Sequence, residues 1–246
     1  MEFELIHFLY VFLPAIGGGL IQGMTGFGSG IFVMMFFPMF LPVLQAGALS
    51  SASSVTITAP TAWKYRKHIR PRDFLLPALF YCSCSALALR LAANADFTFM
   101  KATLGLFLML ISLYFLFVAG KFSIQATPLT AFICGCLSGT FSGLFGIGGP
   151  PMVIYFLAIT GDDKDAYIAN TQGFFLVAML FTTAVRIYNG IITPSLAILM
   201  IPGMLGMFIG KTLGLRIIQK IDVAMMKKII YVFLFLSGLS TFLTNI

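Results

Sequence analysis

The stretch Gly139-Thr140-Phe141-Ser142-Gly143-Leu144-Phe145-Gly146-Ile147-Gly148-Gly149-Pro150-Pro151 decides how this chain is read. It joins two apolar runs, roughly 127–145 and 148–160. Proline lacks an N–H and clashes with the preceding turn, so Gly149 to Pro151 cannot lie in mid-helix. Proline does suit the first turn of a new helix, so Pro150 or Pro151 starts the second run. The helix breaks here, and within a bilayer a break persists only where it is buried in protein or lines a wet cavity.

A second glycine cluster precedes it by 120 residues. Gly19, Gly23, Gly26 and Gly28 superpose on Gly139, Gly143, Gly146 and Gly148 at that offset, and Phe12 and Ala46 fall on Phe132 and Ala166. At an offset of 126, Asp96 and Lys101 match Asp222 and Lys227. Four glycines and an Asp/Lys pair at constant spacing indicate a duplicated unit, with residues 1–121 and 122–246 as the two repeats.

Composition supplies the solvent. Charged residues make up 9% of the 246, against 59% hydrophobic and 15% aromatic, where soluble chains carry about 25% charged. The apolar residues come in runs of about 15 to 22, and about 20 residues at helical rise span the hydrocarbon core. Ten segments result, at 5–25, 28–43, 46–63, 74–93 and 99–119, then 127–145, 148–160, 166–187, 195–216 and 226–245. Segments two and seven are short and follow the glycine clusters. Each is a short span, half of a broken helix, or one arm of a re-entrant hairpin. The expected fold is an all-α polytopic membrane protein of two inverted repeats.

The inversion follows from the basic residues. The net charge of +7 could suggest a nucleic-acid partner, but the positive residues cluster in short connections, where they set membrane orientation. Lys64, Arg66, Lys67, Arg70 and Arg72 mark the third-to-fourth connection as cytoplasmic. In the second half the basic cluster, Arg216, Lys220, Lys227 and Lys228, falls one connection later. Such a shift requires an odd number of crossings per half. Five spans satisfy this, as do three spans and a re-entrant hairpin, and both termini then lie outside.

A helix restarting after a break offers free N–H groups and a positive dipole end of about half a charge. Two restarts from inverted halves can aim at one point, and an anion is the natural guest. Candidate binding residues are Gln22, Thr25, Gly26, Gly28, Ser29 and Gly30 in the first cluster, and Ser142, Gly146, Gly148 and Gly149 in the second. Ser50, Ser51, Ser53 and Ser54 lie ~6–12 Å inside segment three, and Asn170 and Gln172 occupy the matching stretch of segment eight. The competing reading makes Gly19/Gly23 and Gly139/Gly143 close helix contacts and the hydroxyls interhelical bonds.

Two helix ends supply about one positive charge, which balances a monoanion better than a dianion. A dianion needs a cation, and Lys211, Arg186 and Arg90 are the basic residues near apolar spans. Each lies close enough to a segment end to snorkel, so each is read as an interfacial anchor. No carboxylate falls deep in a segment.

No catalytic or cofactor constellation appears. His7 and His68 sit in terminal or basic-loop positions, and no metal-ligand spacing or Ser/His/Asp set is present. The glycine runs lack the strand and following acidic residue of a dinucleotide fingerprint. Cys82/Cys84 and Cys134/Cys136 are i, i+2 pairs that do not face each other on a helix, and are read as small packing residues.

The residues Gly23-x-x-Gly26-Phe27-Gly28-x-Gly30 and Ser138-Gly139-x-x-Ser142-Gly143-Leu144-Phe145-Gly146-Ile147-Gly148-Gly149-Pro150 resemble the TauE/SafE family of sulfite-exporter-like membrane proteins. That family often has glycine where this chain has Pro150. Length, duplication and the basic loop agree, so the resemblance covers essentially the whole chain. It implies a multi-pass carrier of the prokaryotic plasma membrane, and the residues themselves point to no cofactor and no enzymatic activity. Its partners would be the lipid bilayer and a small anion: sulfite, a sulfonate such as sulfoacetate, or a related organic anion. Alternating access with export is the expected mode, an anion channel on the same scaffold is the alternative, and homo-oligomerisation is left open.

Overall fold

The computed structural model describes residues 5–92, 96–118, 124–217 and 223–246. The expected boundary between the halves, at 121–122, lies outside the described residues. Among those described, the fold is all helical. The helices are α1 (Leu5–Thr25), α2 (Ser29–Val33), α3 (Val43–Lys64), α4 (Pro71–Ala92) and α5 (Phe97–Leu113), then α6 (Pro128–Phe145), α7 (Gly149–Thr160), α8 (Lys164–Tyr188), α9 (Pro194–Ile217) and α10 (Val223–Thr244). Six of the described helices, α1, α4, α5 with its extension, α6, α8 and α9, are long and apolar enough to cross a membrane. At 22 residues α3 is as long, but it carries four serines in five positions.

Local chemistry sets the ends. Asp96 caps α5 through Thr98 N and Phe99 N. Thr127 and Thr130 form a capping box on α6, with proline in its first turn. Asp163 accepts from Ala166 N at the start of α8. Each satisfies donors that a helix start leaves orphaned. Segment two is shorter than its apolar run suggests: after five residues α2 gives way to a 3-10 turn at Phe37–Met39, with Pro38 in its first positions. It folds back along α1, for Phe32 fills the space beside Gly17 and the Phe40 ring stacks on Tyr10 at 5.9 Å. In the second half α7 packs back against α6, with Met152 and Phe156 in one core with Ala131 and Cys134.

Backbone proximity defines the tightest helix pairs. Along α9, a Cβ on Gly206, Gly210 or Gly214 would lie 2.6, 2.0 and 2.4 Å from the carbonyl oxygens of Phe12, Ile16 and Leu20. The two series rise together, so α1 and α9 run parallel. Gly135, Gly139 and Gly143 of α6 meet Pro77, Tyr81 and Ser85 of α4 in the same manner. Helices α5 and α10 instead cross antiparallel: Gly105 meets Gly238, and Ser112 Oγ donates to Tyr231 O at 2.5 Å. These approaches are the small-residue packing of membrane helices, and Gly19, Gly23, Gly139 and Gly143 all take part. Helices α3 and α9 end side by side, where Lys211 Nζ donates to Ile57 O at 2.5 Å and to Thr61 Oγ1.

Candidate anion site between two glycine turns

Both helix breaks are real, and they face each other. Thr25 ends α1, its hydroxyl donating to Phe27 O at 2.6 Å. The chain then reverses through Gly26 (φ 83°) and Gly28 (φ 96°), left-handed conformations that glycine alone adopts without strain. Helix α6 ends in Gly146 (φ 70°), whose backbone is pressed against Gly47 of α3.

Between the turns lies a cavity of about 50 Å³. An ordered water needs about 10–15 Å³ on this measure, so the space suits about three to five water-sized groups. Gln22, Gly28, Ser29, Gly30, Ser51 and Ser54 line it from the first half, and Ser142, Gly146, Gly148 and Gly149 from the second. Six other candidates lie outside the lining. Thr25 closes its turn, and Ser53 packs on Gly203 between α3 and α9. Ser50 Oγ is buried against Gly30 without a partner. Asn170 accepts from Arg70 N at 2.8 Å, pinning the basic loop to α8. Gln172 Nε2 donates to Gly26 O at 2.9 Å and thereby holds the first glycine turn in place.

The helix ends supply less than the sequence suggested. Helix α2 has five residues, too short to build much of a dipole. Two of the first positions of α7 are Pro150 and Pro151, which carry no N–H. The positive charge instead comes from Arg186. Read from sequence as an interfacial anchor, it is fully buried. Its Nη1 donates to Gly47 O at 3.0 Å and Ser51 Oγ at 2.9 Å, and its Nη2 to Ser142 O at 2.8 Å and Gly143 O at 3.3 Å. The last two belong to the final turn of α6, whose carbonyls and negative dipole end favour a cation. These acceptors are all neutral, and no carboxylate is buried among the described residues. Lys211 is half-buried and bonded to α3, and Arg90 is exposed.

Aromatic residues complete the walls, and sequence reasoning missed them. Tyr81 OH donates to Ser142 Oγ at 2.5 Å. Phe27, Phe175 and Met179 also line the cavity. Phe27 borders a second, smaller cavity towards Tyr231 and Leu234, and packs on Phe115 at 5.7 Å. Phe115 lies in a π-helical turn at Tyr114–Val118 and stacks on Tyr231 at 4.9 Å.

Comparison with known proteins agrees with this architecture. The family described as TauE: Sulfite exporter TauE/SafE matches residues 11–241. No curated protein and no solved structure matches. The match takes in both glycine turns, the serines of α3, Tyr81 and Arg186. The chain therefore belongs to the sulfite exporter TauE/SafE family.

Proposed function

We propose that this multi-pass membrane protein is a secondary transporter that exports small anions by alternating access across a prokaryotic plasma membrane. Sulfite is the first candidate, followed by sulfonates such as sulfoacetate and related organic anions. The observation that carries the reading is a hydroxyl-lined cavity between two glycine turns, backed by a buried arginine with no buried carboxylate among the described residues to neutralise it. An uncompensated charge in low dielectric is costly and is retained where function uses it. A small oxyanion supplies the missing negative charge and fits the volume.

Two further observations support this reading. The first helix of each half pairs with the fourth of the other, α1 with α9 and α6 with α4, and both pairs run parallel. Exchange of the halves by a two-fold axis converts one pair into the other, as inverted repeats require. Each half is then a hairpin that enters and returns, followed by three crossings, with the 64–72 loop and the end of α9 on the cytoplasmic side. Phe27, between two left-handed glycines and two cavities, is placed to gate one approach to the site.

Transport of labelled sulfite into proteoliposomes tests the proposal. A carrier gives saturable uptake that is accelerated by substrate on the far side. Single-channel current without such counterflow replaces the carrier with a channel, and neither signal for any small anion removes the reading.

A further inference from the structure

The four serines that line the cavity do not have the same protons to offer. Ser29 Oγ donates to Gln22 Oε1, and Ser54 Oγ donates to Ser50 O at 2.8 Å. Those two hydroxyl protons are already committed to protein. Ser51 and Ser142 stand the other way round. Ser51 Oγ accepts from Arg186 Nη1 at 2.9 Å, and a guanidinium has no acceptor to return the bond to. Ser142 Oγ accepts from Tyr81 OH at 2.5 Å. In both residues the lone pair is occupied from behind, while the proton remains free beside the cavity. The two also flank a single guanidinium, because the other arm of Arg186 donates to Ser142 O.

We propose that Ser51 and Ser142 are the hydroxyl donors that hold a bound oxyanion, and that Arg186 is a positioning residue behind them whose charge selects a doubly charged oxyanion over a singly charged one. The inference rests on the anion-transport reading above and deepens it. Arg186 does not line the cavity; it acts through Ser51 and through the fixed end of α6. Hydrogen bonds chained from a charged donor polarise one another, so the Ser51 proton is a stronger donor than a free serine's. Serine hydroxyls set in advance also need no rearrangement when the anion arrives. A guanidinium one hydroxyl away from the guest lies about 6 Å from its charge. At an effective dielectric of ~20 this distance favours each additional negative charge by roughly tenfold to hundredfold. The guest is therefore sulfite in its doubly charged form, or another small dianion, rather than the monoanion that the helix ends alone would balance.

The test compares wild type with Ser51→Ala, Ser142→Ala, Arg186→Gln and Arg186→Lys in proteoliposomes. The probes are sulfite under mildly alkaline conditions, where the dianion prevails, and methanesulfonate, a permanent monoanion. Each serine variant should raise KM for both anions by about tenfold or more, with the maximal rate within about twofold, as loss of a hydrogen bond to a charged group predicts. Arg186→Gln should reduce the sulfite-over-methanesulfonate preference roughly tenfold to hundredfold, and Arg186→Lys should keep it. A purely structural arginine would not move that ratio. Unchanged KM in both serine variants overturns the inference, as does a transporting Arg186→Gln protein with the wild-type preference. If Arg186→Gln yields no folded protein, the serine variants alone decide. Wild-type protein that moves neither anion overturns the anion-transport reading instead, and this inference falls with it.

Discussion

Arg186 Nη1 donates to Ser51 Oγ across 2.9 Å, joining the end of α8 to the serine stretch of α3 directly behind the cavity. With its bonds to the last turn of α6, one side chain ties three helices together.

That clamp is expected to matter more for transport than for stability. Burying a charge costs several kcal/mol, and apolar replacement of buried ionic groups is often neutral or stabilising. Ser142 O keeps a second donor, Gly146 N at 2.9 Å, when the arginine is gone. Arg186→Met should therefore unfold within about 2 kcal/mol of wild type, or above it, while sulfite transport efficiency falls by about tenfold or more. Thermal unfolding in detergent alongside uptake checks this; a collapse of stability would make Arg186 a structural residue.

Two glycines separate steric clash from backbone strain. A Cβ at Gly210 would lie 2.0 Å from Ile16 O, so Gly210→Ala must push α1 and α9 apart. The expected loss is about 3 kcal/mol or more, at the upper end of overpacking costs. Gly26 has open space around it but a φ of 83°, so Gly26→Ala should cost about 1–2 kcal/mol. Melting temperatures of the two variants rank them, and equal shifts would contradict the packing described for α1 and α9.

Phe27, with Gly28 and Ile31, lines both the main cavity and the smaller one beside Tyr231. Phe27→Ala joins the two, and should let sulfite leak down its gradient whether or not counter-substrate is present. Efflux from preloaded proteoliposomes measures this. A variant that still depends on counter-substrate shows that the gate lies elsewhere.

Cys84 of α4 and Cys136 of α6 neighbour each other across the α4–α6 seam. With Cys82 and Cys134 replaced by serine, mild oxidation should link them. A protease site introduced between α5 and α6 makes the link visible, because the cut halves stay joined until reduced. Separate halves after oxidation would argue against parallel packing of α4 and α6.

Much of this is legible in the sequence. Apolar runs and the Pro150-Pro151 break located the helices, and proline at the start of α7 follows from its missing N–H. Ten of the sixteen candidate residues line one cavity, because glycines that end helices in lipid must be sheltered by the same protein. What escaped depends on long-range contacts. Arg186 lies two residues from the end of α8, which on sequence alone permits snorkelling. Its partners Gly47 and Ser142 stand 139 and 44 residues away. Tyr81 looked like any aromatic residue of an apolar run until α4 was laid along α6. The i, i+2 spacing turns the cysteines of each pair away from each other but says nothing of a thiol on the neighbouring helix. Asn170 and Gln172, candidate binding residues by sequence, lie outside the cavity lining, where one anchors a loop and the other a turn.

Ligand-dependent stability tests the central claim most directly. Purified protein is melted with increasing sulfite or sulfoacetate at constant ionic strength, beside Ser142→Ala. A ligand that binds only the folded state raises stability by about 2.7 kcal/mol at a hundred times its Kd. The account predicts a saturable rise in wild type that is lost or moved to much higher concentration in Ser142→Ala. No rise with any small oxyanion, or the same rise in both proteins, would contradict it.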